Sequence, residues 1–471
     1  MLRSIVLGLV SVALASASSA QAPRLASLAD FVGTYRESVG HTLELVAGDL
    51  LYAVIDEAKY PLRRVSSDVF LNGSGDTITF PRNRSGIVTG YVERGVQHAR
   101  IRRSVAATSL ALASPRPLGT TSAYRYRVPV DRHDGIPVGD IRNSDLDVAT
   151  AERVVAGVLD GTYKDVHGVL LFQHGKLVLE EYFYGYDVSR PHQLRSATKS
   201  IVSALAGIAV DRGAIPGVSA PVLPMLGNPQ LANADPRKAQ ITLKQMLSMS
   251  SGLACNDYDP RSPGRETALY ESPDWVKATL DLPMVADTGS EAHYCSGGVA
   301  VTGRIVERAT RMPLPAFAHA ALFSPLGIPR SHWRWNYTLD NSNREFAQIH
   351  LRPRDMLKIG MVYANDGMWR KTRVISESWV TASLAEQSQI DGTRYGYFWW
   401  GPWLNVETPA GAKRVNLNAA QGNGGQKIYL VPDLDLVAVF TGGDYNSGGS
   451  PPNRIMARDI LPTLLKARAS R

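Results

Sequence analysis

From Ile201 to Val210 the chain reads "IVSALAGIAV", a run without charge whose only polar side chain is Ser203. A helix that is apolar on nearly every side is stable only when it is covered all round. The fold must therefore supply layers on both sides of this segment. Gly213, after "AVDR", is a stop signal, so the pattern predicts a helix over about Ala197 to Arg212. Lys199 stands at the head of this run, three residues after Ser196. On a helix the two lie one turn apart on one face. A lysine taken out of water is pushed toward its neutral amine, which is a base, and a serine one turn away is what that base can deprotonate. The helix N-terminus nearby favours developing negative charge. The plainer alternative is that Ser196 caps the helix and Lys199 snorkels to solvent.

A chain of 471 residues is too long for one ordinary core, so two or three domains are expected. Its 44% hydrophobic and 20% charged content is that of a folded globular protein. The N-terminus reads as an export signal: Arg3 gives the positive charge, Ile5 to Ala15 the short apolar core, and Ser18-Ser19-Ala20 a small-residue cleavage site after residue 20. An uncleaved anchor is the alternative, although the run is short for a membrane span. Cys255 and Cys295 are an even count in an exported chain, compatible with one disulfide or with two buried thiols. The net charge of +8 is scattered among acidic residues, and the densest basic patch, "HARIRRS" at His98 to Ser104, lacks interleaved aromatics. No nucleic-acid partner is expected from it, and no stable membrane span once the signal is removed.

Residues 21–103 alternate in the strand manner with frequent turns, as in "HTLELVAGDLLYAVI", and predict a small all-β, lipocalin-like domain. Residues 104–145 are punctuated by proline and glycine and read as a linker wrapping over the next domain. The remainder, 146–471, opens with a helix near "DLDVATAERVVAGVLDG" and a hairpin turned at His174-Gly175. It closes with strands at "QKIYLVP" and "LDLVAVFTGG" and a helix from about Asn453 to Lys466. Strands at both ends with helices between predict an α/β (α+β) fold, an antiparallel sheet assembled from the two ends of the chain around a helical insert.

The S-x-x-K motif of Ser196 and Lys199 stands without a competitor. The sequence has no G-x-S-x-G elbow, H-E-x-x-H, Walker loop or Rossmann fingerprint, and its ten histidines show no metal-ligand spacing. With "ITLKQMLSMSSGL" (Ile241 to Leu253), "HYCSGG" (His293 to Gly298), "FSPLGI" (Phe323 to Ile328) and "GNGGQKIYLVPDLDLVAVFTGG" (Gly422 to Gly443), the chain resembles the penicillin-recognising serine hydrolases. That group includes β-lactamases, penicillin-binding proteins and related esterases and amidases. The likeness, to the class C β-lactamase-like branch, covers about residues 150–466, and "YCS" with "DWVKATLDLPM" is most similar to the 6-aminohexanoate-dimer hydrolase type.

The resemblance implies a role for each matching position. Ser196 is the expected nucleophile, Lys199 its base and Tyr294 the second acid/base; Ser296 is expected to support Lys199 or the substrate. Asn423, Gly424 and Gly425 stand where the family has Lys-Thr-Gly or His-x-Gly, and the Gln426 and Ser196 amides are expected to form the oxyanion hole. A neutral Asn423 cannot pair a substrate carboxylate. Cys255 and Cys295 would tie the active-site rim to Tyr294. Tyr258, Tyr270, Trp399 and Trp400 are candidate pocket walls. The expected activity is that of an exported, periplasmic or secreted serine hydrolase acting through an acyl-enzyme on small esters or amides, with no metal or organic cofactor. A β-lactamase or D-peptidase on the same residues, and a catalytically weak binding or sensor protein, are the competing expectations.

Overall fold

The computed structural model describes residues 26–38, 41–55, 58–73, 75–116, 123–335, 348–409 and 411–470; the expected export signal lies outside them. The chain divides into two compact units after Leu110. In the first, eight antiparallel strands close into a barrel: β1 (Gly33–Ser38), β2 (His41–Ala47), β3 (Leu51–Ile55), β4 (Ala58–Ser66), β5 (Val69–Leu71), β6 (Thr77–Thr79), β7 (Gly90–Glu93) and β8 (Val96–Arg102). Alternation turns Tyr35, Leu43, Leu45, Leu51, Ala53, Leu62, Phe70, Ile78 and Tyr91 inward. Aromatic rings meet across the interior, Phe31 with Phe80 at 4.7 Å and Tyr35 with Tyr91 at 5.5 Å between centroids. The barrel is thus filled by side chains.

The second unit is built on an eight-stranded antiparallel sheet: β9 (Val166–Gln173), β10 (Lys176–Tyr182), β11 (Ser388–Ile390), β12 (Thr393–Tyr395), β13 (Trp400–Gly401), β14 (Asn418–Gly422), β15 (Gln426–Val431) and β16 (Leu436–Gly442). Their order across the sheet is β10-β9-β16-β15-β14-β13-β12-β11, so the two ends of the hydrolase region meet at the β9–β16 pairing. Every residue of β15 and β16 is buried, which requires cover on both faces. On one face lies α4 (Pro353–Ala364). It packs so closely that a Cβ on Gly360 would come within 2.7 Å of Val437 and 2.8 Å of Ile428. On the other lie α1 (Val148–Leu159) and the C-terminal helix, joined by a Thr150–Thr463 hydroxyl contact of 2.8 Å. That helix starts at Pro451 rather than Asn453, because proline is accepted in a first helical turn, and runs through a π-type turn to Ala469.

Residues 123–145 run along this unit. Leu177 of β10 donates to Pro137 O at 2.8 Å and accepts from Gly139 N at 3.0 Å, Ile136 is in the core, and Arg354 of α4 grips Asp134 at 2.7 and 2.8 Å. Proline and glycine punctuation concealed a strap that extends the sheet by one parallel bridge, Val138 to Leu177.

The apolar run that opened the sequence is α2 (Thr198–Asp211), buried from Thr198 through Ala209. A Cβ on Gly207 would lie 2.5 Å from the Trp379 indole, so only glycine admits this packing. Gly213, with φ of +69°, turns the chain out of the helix.

Candidate active site

Ser196 sits in a tight turn, Arg195–Ala197, that leads directly into α2. Arg195 takes a left-handed conformation with φ of +49°, which costs free energy for a residue with a Cβ and sharpens the turn. Two hydrogen bonds hold it, Leu194 N to Ile349 O at 2.8 Å and Ala197 N to Leu194 O at 3.1 Å. Ser196 remains half-buried and reachable, whereas Lys199 is only 1% exposed. Lys199 Nζ donates to Ser196 Oγ at 2.9 Å and lies 5.0 Å from the centre of the Tyr294 ring. The Tyr294 hydroxyl lies beside Ser196. Burial raises the Tyr294 pKa well above the ordinary tyrosine value; the nearby Ser196 hydroxyl opposes the rise, and the Asp257 and Glu266 charges add to it. At neutral pH Tyr294 is therefore a phenol, able to give a proton rather than take one.

The turn Tyr294-Cys295-Ser296 opens α3 (Gly297–Thr310), where a Cβ on Gly297 would meet Thr279 Oγ1 at 2.1 Å. Ser296 does not reach Lys199: its backbone N and its Oγ both donate to Asp257 Oδ2 at 2.8 Å. Asp257 belongs to no motif, and "CNDYDP" gives no spacing from which to single it out. It is brought in by the Cys255–Cys295 disulfide, whose Cα atoms are 5.4 Å apart. Asp257 N donates to Tyr294 O at 2.7 Å, and the next ring, Tyr258, stacks on Tyr294 at 5.3 Å and 7°. Desolvation lifts the Asp257 carboxyl to about 6, Lys199 pulling it down and Glu266 pushing it up.

Of the four candidate wall aromatics, Trp400 packs on Tyr294 at 5.4 Å, Tyr258 is 58% exposed, and Tyr270 leans on Trp275 at 5.3 Å. Trp399 is not a wall; it is 1% exposed and faces Tyr363 in the core.

The last motif also departs from expectation. The Asn423 side chain is spent on the loop after β16, donating to Asn446 Oδ1 at 2.6 Å and accepting from Asn446 N at 3.1 Å. Gly424 and Gly425 have φ of +88° and +96°, and a Cβ on Gly424 would lie 2.5 Å from the Tyr445 ring. These glycines serve the turn and its packing. Gln426 is fully buried, its side-chain amide donating to Gly442 O at 2.6 Å and accepting from Gly442 N at 3.1 Å. This region meets the Ser196 turn at Gly422, paired with Gln426, where a Cβ would come 2.1 Å from Leu194 O. Lys427 turns away from the site, to Gln421.

A half-exposed serine, a buried lysine and a buried tyrosine beside an antiparallel sheet define a serine hydrolase of the β-lactamase fold. The family model described as Beta-lactamase matches residues 151–456, and the chain belongs to that family of serine hydrolases and acyltransferases. It is 29% identical to the 6-aminohexanoate-dimer hydrolase of Paenarthrobacter ureafaciens over 60% of this chain and 73% of that one. It is 30% identical to the lovastatin esterase of Penicillium rubens over 28% of this chain and 33% of that one. A putative β-lactamase from Bacteroides dorei has the same fold, with a TM-score of 0.53 at 17% identity over 69% of this chain and 98% of that one. Among the described residues, no helix is long and apolar enough to cross a membrane.

Proposed function

We propose that this chain is an exported hydrolase of small neutral esters or amides, with Ser196 as nucleophile, Lys199 as its base and Tyr294 as the acid. The observation that carries the reading is the contact of Ser196 Oγ with Lys199 Nζ at 2.9 Å, beside a phenol that also reaches Ser196. Lys199, as the base, takes the Ser196 proton as Oγ bonds to the substrate carbonyl carbon. The proton passes through Tyr294 to the leaving oxygen or nitrogen as the carbonyl bond to it breaks. Water then attacks the acyl-enzyme and regenerates Ser196. The Ser196 N–H and the Gln426 N–H are the proposed oxyanion donors.

Neutral substrates fit because Asn423, standing where the family places a cation, is an uncharged amide bonded to Asn446, while Asp257 and Glu266 carry acidic groups on the Ser296 side. A charge-assisted bond to a carboxylate is worth roughly 1.5–3 kcal/mol, so nitrophenyl butyrate should exceed a chromogenic cephalosporin in kcat/KM by at least about tenfold. A preference for the cephalosporin overturns the substrate class. The apolar segment behind Arg3 supports export, and so does a disulfide, which persists in oxidising compartments.

A further inference from the structure

Asp257 is a buried carboxylate that the Ser-Lys-Tyr scheme leaves without a role. Four connections bind its loop to the Tyr294 turn: the disulfide one residue from Tyr294, the Asp257 N to Tyr294 O bond of 2.7 Å, the two Ser296 donors at 2.8 Å, and the Tyr258–Tyr294 stack. Only Oδ2 receives hydrogen bonds. Oδ1 is buried and has no hydrogen-bond partner among the described residues. Among the described residues, the ionisable groups in electrostatic reach of this carboxylate are Lys199, Glu266, Tyr258, Tyr270, Tyr294 and Tyr395. Lys199 is the one cation among them. A half-satisfied buried carboxylate is costly to maintain, and the change of charge during acylation takes place on Lys199.

We propose that Asp257 is a positioning residue for this reaction, holding the Tyr294–Ser296 turn through Ser296 and stabilising, by its negative charge, the Lys199 ammonium that forms as Ser196 is deprotonated. The proposal rests on the Ser-Lys-Tyr reading. In the acylation step the Ser196 O–H bond breaks, an N–H bond forms on Lys199 and Oγ bonds to the carbonyl carbon. The positive charge so created is compensated by ionised Asp257 and not by its protonated form, because a fixed anion placed where a cation develops lowers the barrier. Tyr294, kept a phenol chiefly by its burial, with the same anion adding to the effect, then relays the proton to the leaving group.

The test is the pH profile of kcat/KM for a neutral nitrophenyl ester, in wild type and in Asp257→Asn. The amide keeps the shape and the contact with the Ser296 turn but cannot ionise. The expected result is a loss of at least about tenfold at pH 8, about 1.4 kcal/mol in barrier. It should shrink to less than about twofold at pH 5, where the wild-type carboxyl, titrating at about 6, is itself protonated. Asp257→Glu, which keeps the charge, should recover part of the pH 8 activity. A purely structural role predicts the same loss at every pH, and that result, or an unchanged profile, overturns the proposal. Should Asp257→Asn fail to fold, Ser296→Ala decides. Removing one donor from the carboxylate should move the acid limb to higher pH, and an unmoved limb counts against the assignment. Ser196→Ala separates the two readings: normal activity there removes the Ser-Lys-Tyr scheme itself, whereas an inactive Ser196→Ala with an indifferent Asp257→Asn removes only this inference.

Discussion

Replacing Cys255 and Cys295 together by alanine opens a closed loop whose ends are 40 residues apart. In the chain-entropy account, a loop of that length withdraws about 4 kcal/mol of freedom from the unfolded state, so its removal should cost the second unit about that much stability. The folded site should survive. The Asp257 N to Tyr294 O bond, the Ser296 bonds to Asp257 and the Tyr258 stack all hold the same loop to the same turn. At 25 °C the double variant should therefore keep kcat/KM to within about tenfold, a loss under about 1.4 kcal/mol in barrier. The assay is urea unfolding followed by tryptophan fluorescence, with ester turnover measured on the same samples. A stability change below about 1 kcal/mol would refute the reasoning, since it would mean that the loop is closed in the unfolded chain by something else. Loss of all activity in a variant that remains folded would show that the other tethers do not hold the turn.

Burial holds His192 down to about 4 and His350 to about 3, so both stay neutral in the folded protein where an unfolded histidine takes up a proton near 6.5. Stability should fall as pH drops below 6.5, by about 2 kcal/mol for each histidine at pH 5; His192→Asn should flatten that slope in urea titrations, and an unchanged slope contradicts the assignment. Lys427, lowered to about 7 by desolvation, carries a cost that is full below pH 7 and relieved as pH rises toward its ordinary value. Lys427→Met, offset by the lost bond to Gln421, should raise stability by about 1 to 3 kcal/mol at pH 6–7 and by less at pH 10. A destabilised variant at pH 6 would show that the amine has partners enough.

Local signals were the legible ones. The all-apolar helix after Ser196, the hairpin at His174-Gly175 and the closing strands β15 and β16 each announce themselves through periodicity and turn residues within a few positions. The Ser196–Lys199 pair was legible for the same reason, being one turn of one helix. Features made by long-range pairing were not. The strap at Ile136 to Gly139 looks like a linker because a single parallel bridge leaves no alternation to read. Asp257 is brought to Ser296 across 39 residues, with no spacing rule to announce it. Composition does not tell a side chain committed to Asn446, as at Asn423, or to Tyr363, as at Trp399, from one facing a substrate.

The central claim is that Ser196 is the nucleophile and Lys199 activates it. Incubation with a fluorophosphonate followed by peptide mass spectrometry tests this most directly, because the reagent bonds only to an activated hydroxyl. Stoichiometric modification of Ser196 is expected in the wild type, none in Ser196→Ala, and labelling slowed by at least about a hundredfold in Lys199→Ala, the typical weight of a lost general base. Modification of a different residue, or labelling of Ser196 at an undiminished rate without Lys199, would contradict the account.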